Sequence, residues 1–162
     1  MSAITAYIGI GSNLAQPLQQ VQRAVEALKA IPATRLTGVS PWYGSHPVGG
    51  PAEQPDYING VARLQTRLAP HALLDALQAI EQQQGRERHT RWGARTLDLD
   101  LLLFGDQTLD DTRLTVPHPR LAERAFVLVP LAALEPGLTL PNGCSVASLL
   151  PHISTAGLWA LS

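Results

Sequence analysis

Thr96-Leu97-Asp98-Leu99-Asp100-Leu101-Leu102-Leu103-Phe104 is the stretch on which the fold turns. Side chains of a strand alternate between its two faces. Read as a strand, this segment sends Leu97, Leu99 and Leu101 to a core and projects both aspartates together from the opposite face. Upstream is an arginine-rich loop, residues 85–95. Before it a helix runs from about Pro70 to Gln84, with Leu73, Leu74, Leu77 and Ile80 inward and Gly85 suited to its C-terminal cap. Residues 56–66 alternate again, with Ile58, Gly60, Ala62 and Leu64 on one face and Tyr57, Asn59 and Val61 on the other.

Residues 44–55 hold three prolines and three glycines and read as a loop. A loop of this length between regular elements is more often functional than idle. Thr34 to Tyr43 reads as a strand in which Pro41 marks an edge or a bulge. Pro17 opens a helix in which Leu18, Val21, Val25, Leu28 and Ile31 keep helical spacing until Pro32 ends it. Ala3 to Ile10 is the first strand, leaving the sheet at Gly11-Ser12-Asn13. The order β-α-β-β-α-β is the split βαβ, or ferredoxin-like, plan: an α+β fold with helices on one face of the sheet.

After a turn at Gly105-Asp106 comes a short C-terminal β/α extension. It comprises a small strand near residues 107–109, a Pro-His-Pro loop at 117–119, an apolar helix near 124–134 and a short segment near 146–150. No repeat, low-complexity tract or linker interrupts the chain, so residues 1–162 read as one domain. Hydrophobic residues make up 45% and charged ones 15%, enough for a core. No apolar run approaches the ~20 residues of a membrane span, and Met1 to Ile10 lacks the basic start of a signal peptide. The single cysteine, Cys144, excludes an internal disulfide, suits a reducing cytoplasm, and is expected to be a small, buried, inert residue.

The net charge of −1 gives no global field for nucleic acid or anionic membrane. Locally the picture differs. Eleven of the twelve basic residues are arginines, and Arg86, Arg88, Arg91 and Arg95 fall within ten positions. Guanidinium matches the fork geometry of phosphate. Asp98 and Asp100 repel each other unless a cation lies between them, and Mg²⁺ takes such hard oxygen ligands together with phosphates. Phosphate sites beside metal sites are what phosphoryl transfer needs. A solvated acidic strand face and a plain charged loop are the bland alternatives. Trp92 inside the arginine loop suits a planar ligand, a closing lid or an anchor to the core.

Tyr57 and Asn59 share a face, where an aromatic ring and an amide suit a flat heteroaromatic ligand or form an ordinary half-polar strand. Gly9-Ile10-Gly11-Ser12-Asn13 has neither Walker A nor dinucleotide spacing, so its glycines are expected to make a tight strand exit. His118 is rigidly presented between prolines. His46 and His71 carry weaker signals.

The run Arg91-Trp92-Gly93-Ala94-Arg95-Thr96-Leu97-Asp98-Leu99-Asp100-Leu101-Leu102-Leu103-Phe104-Gly105 closely resembles the signature of the 6-hydroxymethyl-7,8-dihydropterin pyrophosphokinase family of folate biosynthesis. The likeness extends to residues 7–14, 54–59, 80–86 and 114–119. It implies ATP-dependent pyrophosphoryl transfer to a pterin hydroxymethyl group, with AMP leaving and two Mg²⁺ ions held at Asp98 and Asp100. By the same resemblance Tyr57 and Phe126 sandwich the pterin, Asn59 bonds its edge, and Ser45, Val48 and Trp92 line its pocket. Arg86 and Arg95 contact phosphate and assist catalysis. Gln78, Glu81, Arg88, Arg91, Trp92, Leu101, Arg113, Thr115, His118 and Arg124 match nucleotide-site positions.

Gly44-Ser45, Ala94 and Pro119 depart from the family's common residues, the first loop is a residue longer than in some relatives, and the arginine loop a residue shorter. The partners expected are the small molecules ATP and pterin, with no nucleic acid, no membrane and a monomeric chain. A non-catalytic ferredoxin-like module binding RNA or a small ligand is the alternative from another class, and it would need an aromatic RNA-binding strand that this sequence lacks.

Overall fold

The computed structural model describes residues 3–13, 16–46, 56–86 and 97–161, with the side chains of residues 85 and 86 excepted. Strand β1 (Ile4–Ser12) lies at the centre. It pairs antiparallel with β4 (Tyr57–Thr66) on one side and β5 (Leu97–Phe104) on the other. Both β2 (Thr34–Val39) and β3 (Tyr43–Ser45) pair with β4, and a late strand, β8 (Leu158–Ala160), pairs with β3. The order β5-β1-β4-β3-β8, with β2 also on β4, contains the expected β-α-β-β-α-β plan. A separate two-stranded ribbon joins β6 (Leu109–Asp110) to β7 (Thr115–Val116).

Helices α1 (Pro17–Lys29) and α2 (Pro70–Arg86) cover one sheet face. Val21, Ala24 and Leu28 of α1 and Leu73 and Leu77 of α2 are fully buried against Ala6, Ile8 and Ile10, Ala62 and Leu64, and Leu97, Leu99 and Leu101. Each such leucine contributes about 2 kcal/mol by leaving water. The opposite face packs on the C-terminal extension. There α3 (Ala125–Leu134) and α4 (Val146–Leu149) bury Val127, Leu128, Leu131 and Val146 against Tyr7, Val61, Leu102 and Leu103. Helices therefore lie on both faces, the two of the core plan on one and the extension on the other. Tyr7 and Arg63 both bond Glu135 at the end of α3, at 3.1 and 2.8 Å, and so fasten that helix to the sheet. Among the described residues no helix is long and apolar enough to cross a membrane.

Several expected boundaries move. Gly9 and Gly11 sit inside β1, paired on both sides, and not at a strand exit. The strand expected over 34–43 divides at Pro41, which has no N–H to give the ladder. Ser40 still bonds Val61 through its backbone and its hydroxyl, at 2.8 and 2.9 Å, and the chain then resumes as β3. Gly44 and Ser45, expected in a loop, are consequently strand residues. Helix α2 continues past Gly85 to Arg86, its last turns held to α1 where the Gln84 amide donates to the Gln20 carbonyl at 3.2 Å. Cys144 is exposed rather than buried, because it lies in a turn closed by Leu140 N–H donating to its own carbonyl.

Candidate active site

On β5 the residues between the core leucines, Asp98 and Asp100, face away from α1 and α2. On β4 Tyr57, Asn59 and Val61 face the same way. Between these two strands runs β1, whose residues in register are Gly11, opposite both Asp98 and Asn59, and Gly9, opposite both Asp100 and Val61. The sheet thus presents two carboxylates and an aromatic–amide pair across a strip with no side chains. A Cβ at Gly11 would stand 3.1 Å from Asn59 Oδ1, and one at Gly9 would stand 3.3 Å from Leu102 Cδ2. Either would crowd that strip.

This strip floors a cavity of about 660 Å³, a size typical of small-molecule sites. The segment before α3 and its first turn wall the cavity, bringing Arg124 and Phe126 opposite Tyr57 and Asn59. The Arg124 guanidinium stands 5.5 Å from the Phe126 ring centre. Ser45 is buried at the far side, and its hydroxyl accepts from Asn59 Nδ2 at 2.7 Å. That bond uses the donor side of the amide and turns its carbonyl oxygen toward the glycine strip.

A second hollow of about 310 Å³ opens along the outer edge of β5, between α2 and residues 113–119. Gln78, Glu81, Leu101, Arg113, Thr115 and His118 line it. Asp100 lines both hollows. Glu81 caps the sheet edge: its carboxylate accepts the Leu99 N–H at 2.7 Å. Burial pushes the Glu81 carboxyl up to about 7, with the charges of Asp98 and Asp100 adding to the rise and the Leu99 bond opposing it. Burial likewise holds the His118 imidazole below its ordinary value, and Arg124 and Arg120 add to the lowering while Asp100 opposes it. His118 Nδ1 accepts the Arg120 N–H at 3.2 Å, so in the neutral ring the proton sits on Nε2. Arg113 is steadied over this hollow by Asp75 at 2.6 Å and Gln78 at 3.3 Å. Asp111 braces the same turn, accepting the N–H groups of Arg113 and Leu114, which with His71 hold its carboxyl below the usual range.

Fourteen expected site residues lie among the described residues, and thirteen of them line the two hollows. Ser45, Tyr57, Asn59, Asp98, Arg124 and Phe126 meet in the larger cavity, Gln78, Glu81, Leu101, Arg113, Thr115 and His118 in the smaller, and Asp100 in both. The last, Arg86, ends α2, and its side chain is not described. Val48, Arg88, Arg91, Trp92 and Arg95 lie outside the described residues. Sequence reasoning missed Gly9, Gly11 and the tail residues Ser154, Ala156, Gly157 and Leu158, all of which line the larger cavity. The two glycines were findable, since Gly9 and Gly11 continue the alternation of Ile8 and Ile10 on the other face.

The family model for 7,8-dihydro-6-hydroxymethylpterin-pyrophosphokinase (HPPK) matches residues 7–136. The chain is 59% identical over 152 residues to the 2-amino-4-hydroxy-6-hydroxymethyldihydropteridine pyrophosphokinase of Pseudomonas aeruginosa, covering 94% of this chain and 93% of that protein. It is 48% identical to the Haemophilus influenzae protein of the same name, covering 93% of this chain and 94% of that one. In fold it is similar to the wild-type HPPK-DHPS of Plasmodium falciparum, with a TM-score of 0.71 at 11% identity. That match covers 93% of this chain but only 44% of the other, so this chain spans less than half of the longer protein. The family model and the two bacterial relatives agree: the chain belongs to the 7,8-dihydro-6-hydroxymethylpterin-pyrophosphokinase family.

Proposed function

We propose that the two hollows meeting at Asp100 are the two substrate sites of one transfer reaction. As a member of its family the chain is a transferase of folate biosynthesis, moving a pyrophosphoryl group from ATP to the hydroxymethyl group of 6-hydroxymethyl-7,8-dihydropterin. AMP is the leaving product. In this proposal the larger cavity takes the pterin and the smaller takes the nucleotide. The observation that supports the assignment is the shared carboxylate: Asp100 borders both spaces, where the reacting oxygen and phosphorus must meet.

The residue roles are those the family resemblance implies, and their chemistry suits them. Tyr57 and Phe126 offer aromatic faces for a flat ring, and Asn59, with its donor side held by Ser45, offers a carbonyl acceptor to ring N–H groups. Val48 and Trp92 complete the pterin side. Gln78, Glu81, Leu101, Arg113, Thr115 and His118 receive the nucleotide, joined by Arg88 and Arg91 and, from the larger cavity, by Arg124, while Arg86 and Arg95 bind its phosphates. His118 enters this set as a neutral Nε2–H donor.

Asp98 and Asp100 fit Mg²⁺, since two carboxylates on one face above a side-chain-free strip leave room for the water and phosphate oxygens this ion keeps. Two Mg²⁺ ions bound there would neutralise the charge of the triphosphate and orient it for in-line attack. The glycine strip lets the pterin hydroxymethyl oxygen approach the acid pair closely, and positioning of this kind carries much of a phosphoryl transfer. Residues 1–162 form one such catalytic domain, monomeric and cytoplasmic.

The reaction is tested by measuring AMP release from ATP and Mg²⁺ with and without 6-hydroxymethyl-7,8-dihydropterin. Pterin-dependent AMP without ADP is expected. Binding of both ligands without AMP would identify a relative that has lost the transfer step. Failure to bind either would overturn the assignment of the two hollows.

A further inference from the structure

The larger cavity has a wall that the family match does not reach. The match ends at residue 136, yet Ser154, Ala156, Gly157 and Leu158 border the cavity. After α4 and a 3-10 turn at Leu150–His152, the chain crosses the end of the cavity and turns at Gly157, where φ is +79°. That left-handed conformation favours glycine. The chain then enters β8 against β3, with Leu158 opposite Ser45, Trp159 opposite Gly44 and Ala160 opposite Tyr43. Leu161 N–H donates to the Trp42 carbonyl at 3.0 Å and closes the pairing.

Successive strand residues point to opposite faces, and β8 uses both. Leu158 lines the cavity. It belongs to a cross-strand row with Ser45 and, beyond it, Tyr57. An apolar side chain therefore stands beside the hydroxyl that holds Asn59 and near the ring offered for stacking. Trp159 lies on the other side of β8, where its indole covers Gly44 so closely that a Cβ there would collide with it. Its ring centre is also 5.0 Å from that of His46, whose Nδ1 is 2.9 Å from Asp56 Oδ1.

Resting on the pterin-site reading above, we infer that the C-terminal strand is part of the pterin site. Leu158 is a wall that sets affinity for the ring. Trp159, seated on Gly44, is the positioning residue that holds β3 and its Ser45–Asn59 bond in register. Gly44 is the required complement, because this seat exists only where residue 44 has no side chain. The smaller hollow receives no residue from β8, so the nucleotide site lies outside the influence of this strand.

The test uses the full chain and three variants: Trp159→Ala, Gly44→Ala and the two combined. KM is measured separately for pterin and for ATP, and a thermal melt shows that each variant is folded. Either single substitution raises the pterin KM roughly fivefold to tenfold, the loss expected when one buried hydrogen bond is misaligned. The ATP KM stays within about twofold, below what losing one such bond would produce. The double variant is no worse than Trp159→Ala alone, because without the indole a Cβ at position 44 has room. Parallel rises in both KM values, or fully additive single effects, would mean that β8 supports the fold in general and would overturn the inference. Unchanged pterin KM in all three would also overturn it. Absence of pterin-dependent AMP from the unaltered chain would instead overturn the functional reading, and the inference with it.

Discussion

One sheet presents two faces that obey opposite rules. Toward α1 and α2 the central strands carry apolar side chains: Ile8, Ile10, Ala62, Leu64, Leu99 and Leu101 are buried in one apolar layer. Toward α3 only the half around Tyr7, Val61, Leu102 and Leu103 is filled, and the other half is stripped to glycine between two aspartates and an asparagine. The same strands build both. Stability resides where side chains interdigitate. Chemistry resides where they are withheld, because a reactive surface needs open space and a buried one cannot leave it.

The sharpest way to break this contrast is to alter the open half without touching the packed face. Asp100→Asn is expected to lower turnover by about a thousandfold, as loss of a charged group at a reacting centre does. Its denaturation midpoint should stay near that of the parent. Near-normal Mg-dependent turnover in this variant would remove the acid pair from the mechanism. Leu28→Ala on the filled face should do the reverse, costing about 3 kcal/mol of stability for a fully buried leucine. Denaturant titration reads that loss, and the folded fraction should keep its kcat/KM; a selective kinetic defect would show that the faces are not independent.

Gly11→Ala tests the bare strip itself. Its Cβ, 3.1 Å from Asn59 Oδ1, should raise the pterin KM several-fold and leave stability unchanged or slightly improved. An unchanged KM would mean that the strip need not be empty. The smallest effect is expected for Glu81→Gln in metal-free protein. The Glu81 carboxyl is raised from 4.5 to about 7 in the fold, so between those values the folded chain holds a proton that the unfolded chain has released. Its contribution to stability therefore falls as pH rises through this window. The substituted amide cannot ionise, so the variant should be more stable than the parent above the window and equal to it below. A constant difference across pH, followed by thermal melts, would reject the burial-driven rise.

The packed face was legible in the sequence because period-two and period-3.6 patterns are local. Leu97, Leu99 and Leu101 announce their own side, and so do Leu73, Leu77 and Ile80. Each half of the open face was legible for the same reason: Asp98 pairs with Asp100, and Tyr57 with Asn59. That the halves face each other across β1 depends on strand order, a non-local property that no single segment encodes. Gly9 and Gly11 misled because glycine usually marks a turn, while here its role is to be small within a ladder. Strand β8 left almost no signal, being three residues long and preceded by a glycine turn. The division of residues between a pterin and a nucleotide came from family resemblance, and none of it from periodicity.

The pairing of β3 with β8 has a consequence for the order in which the molecule is assembled. Those strands come from distant parts of the described chain, so closing the loop between them is entropically costly and repaid by only a short ladder. The helices and the β1–β4–β5 sheet can form on their own contacts beforehand. Synthesis from the N-terminus delivers β8 after every other described element, so a nascent chain would possess its acid pair before its last cavity wall. In the mature protein the same strand should be among the first to exchange its amide hydrogens, opening at the outer edge of the sheet while the centre remains protected.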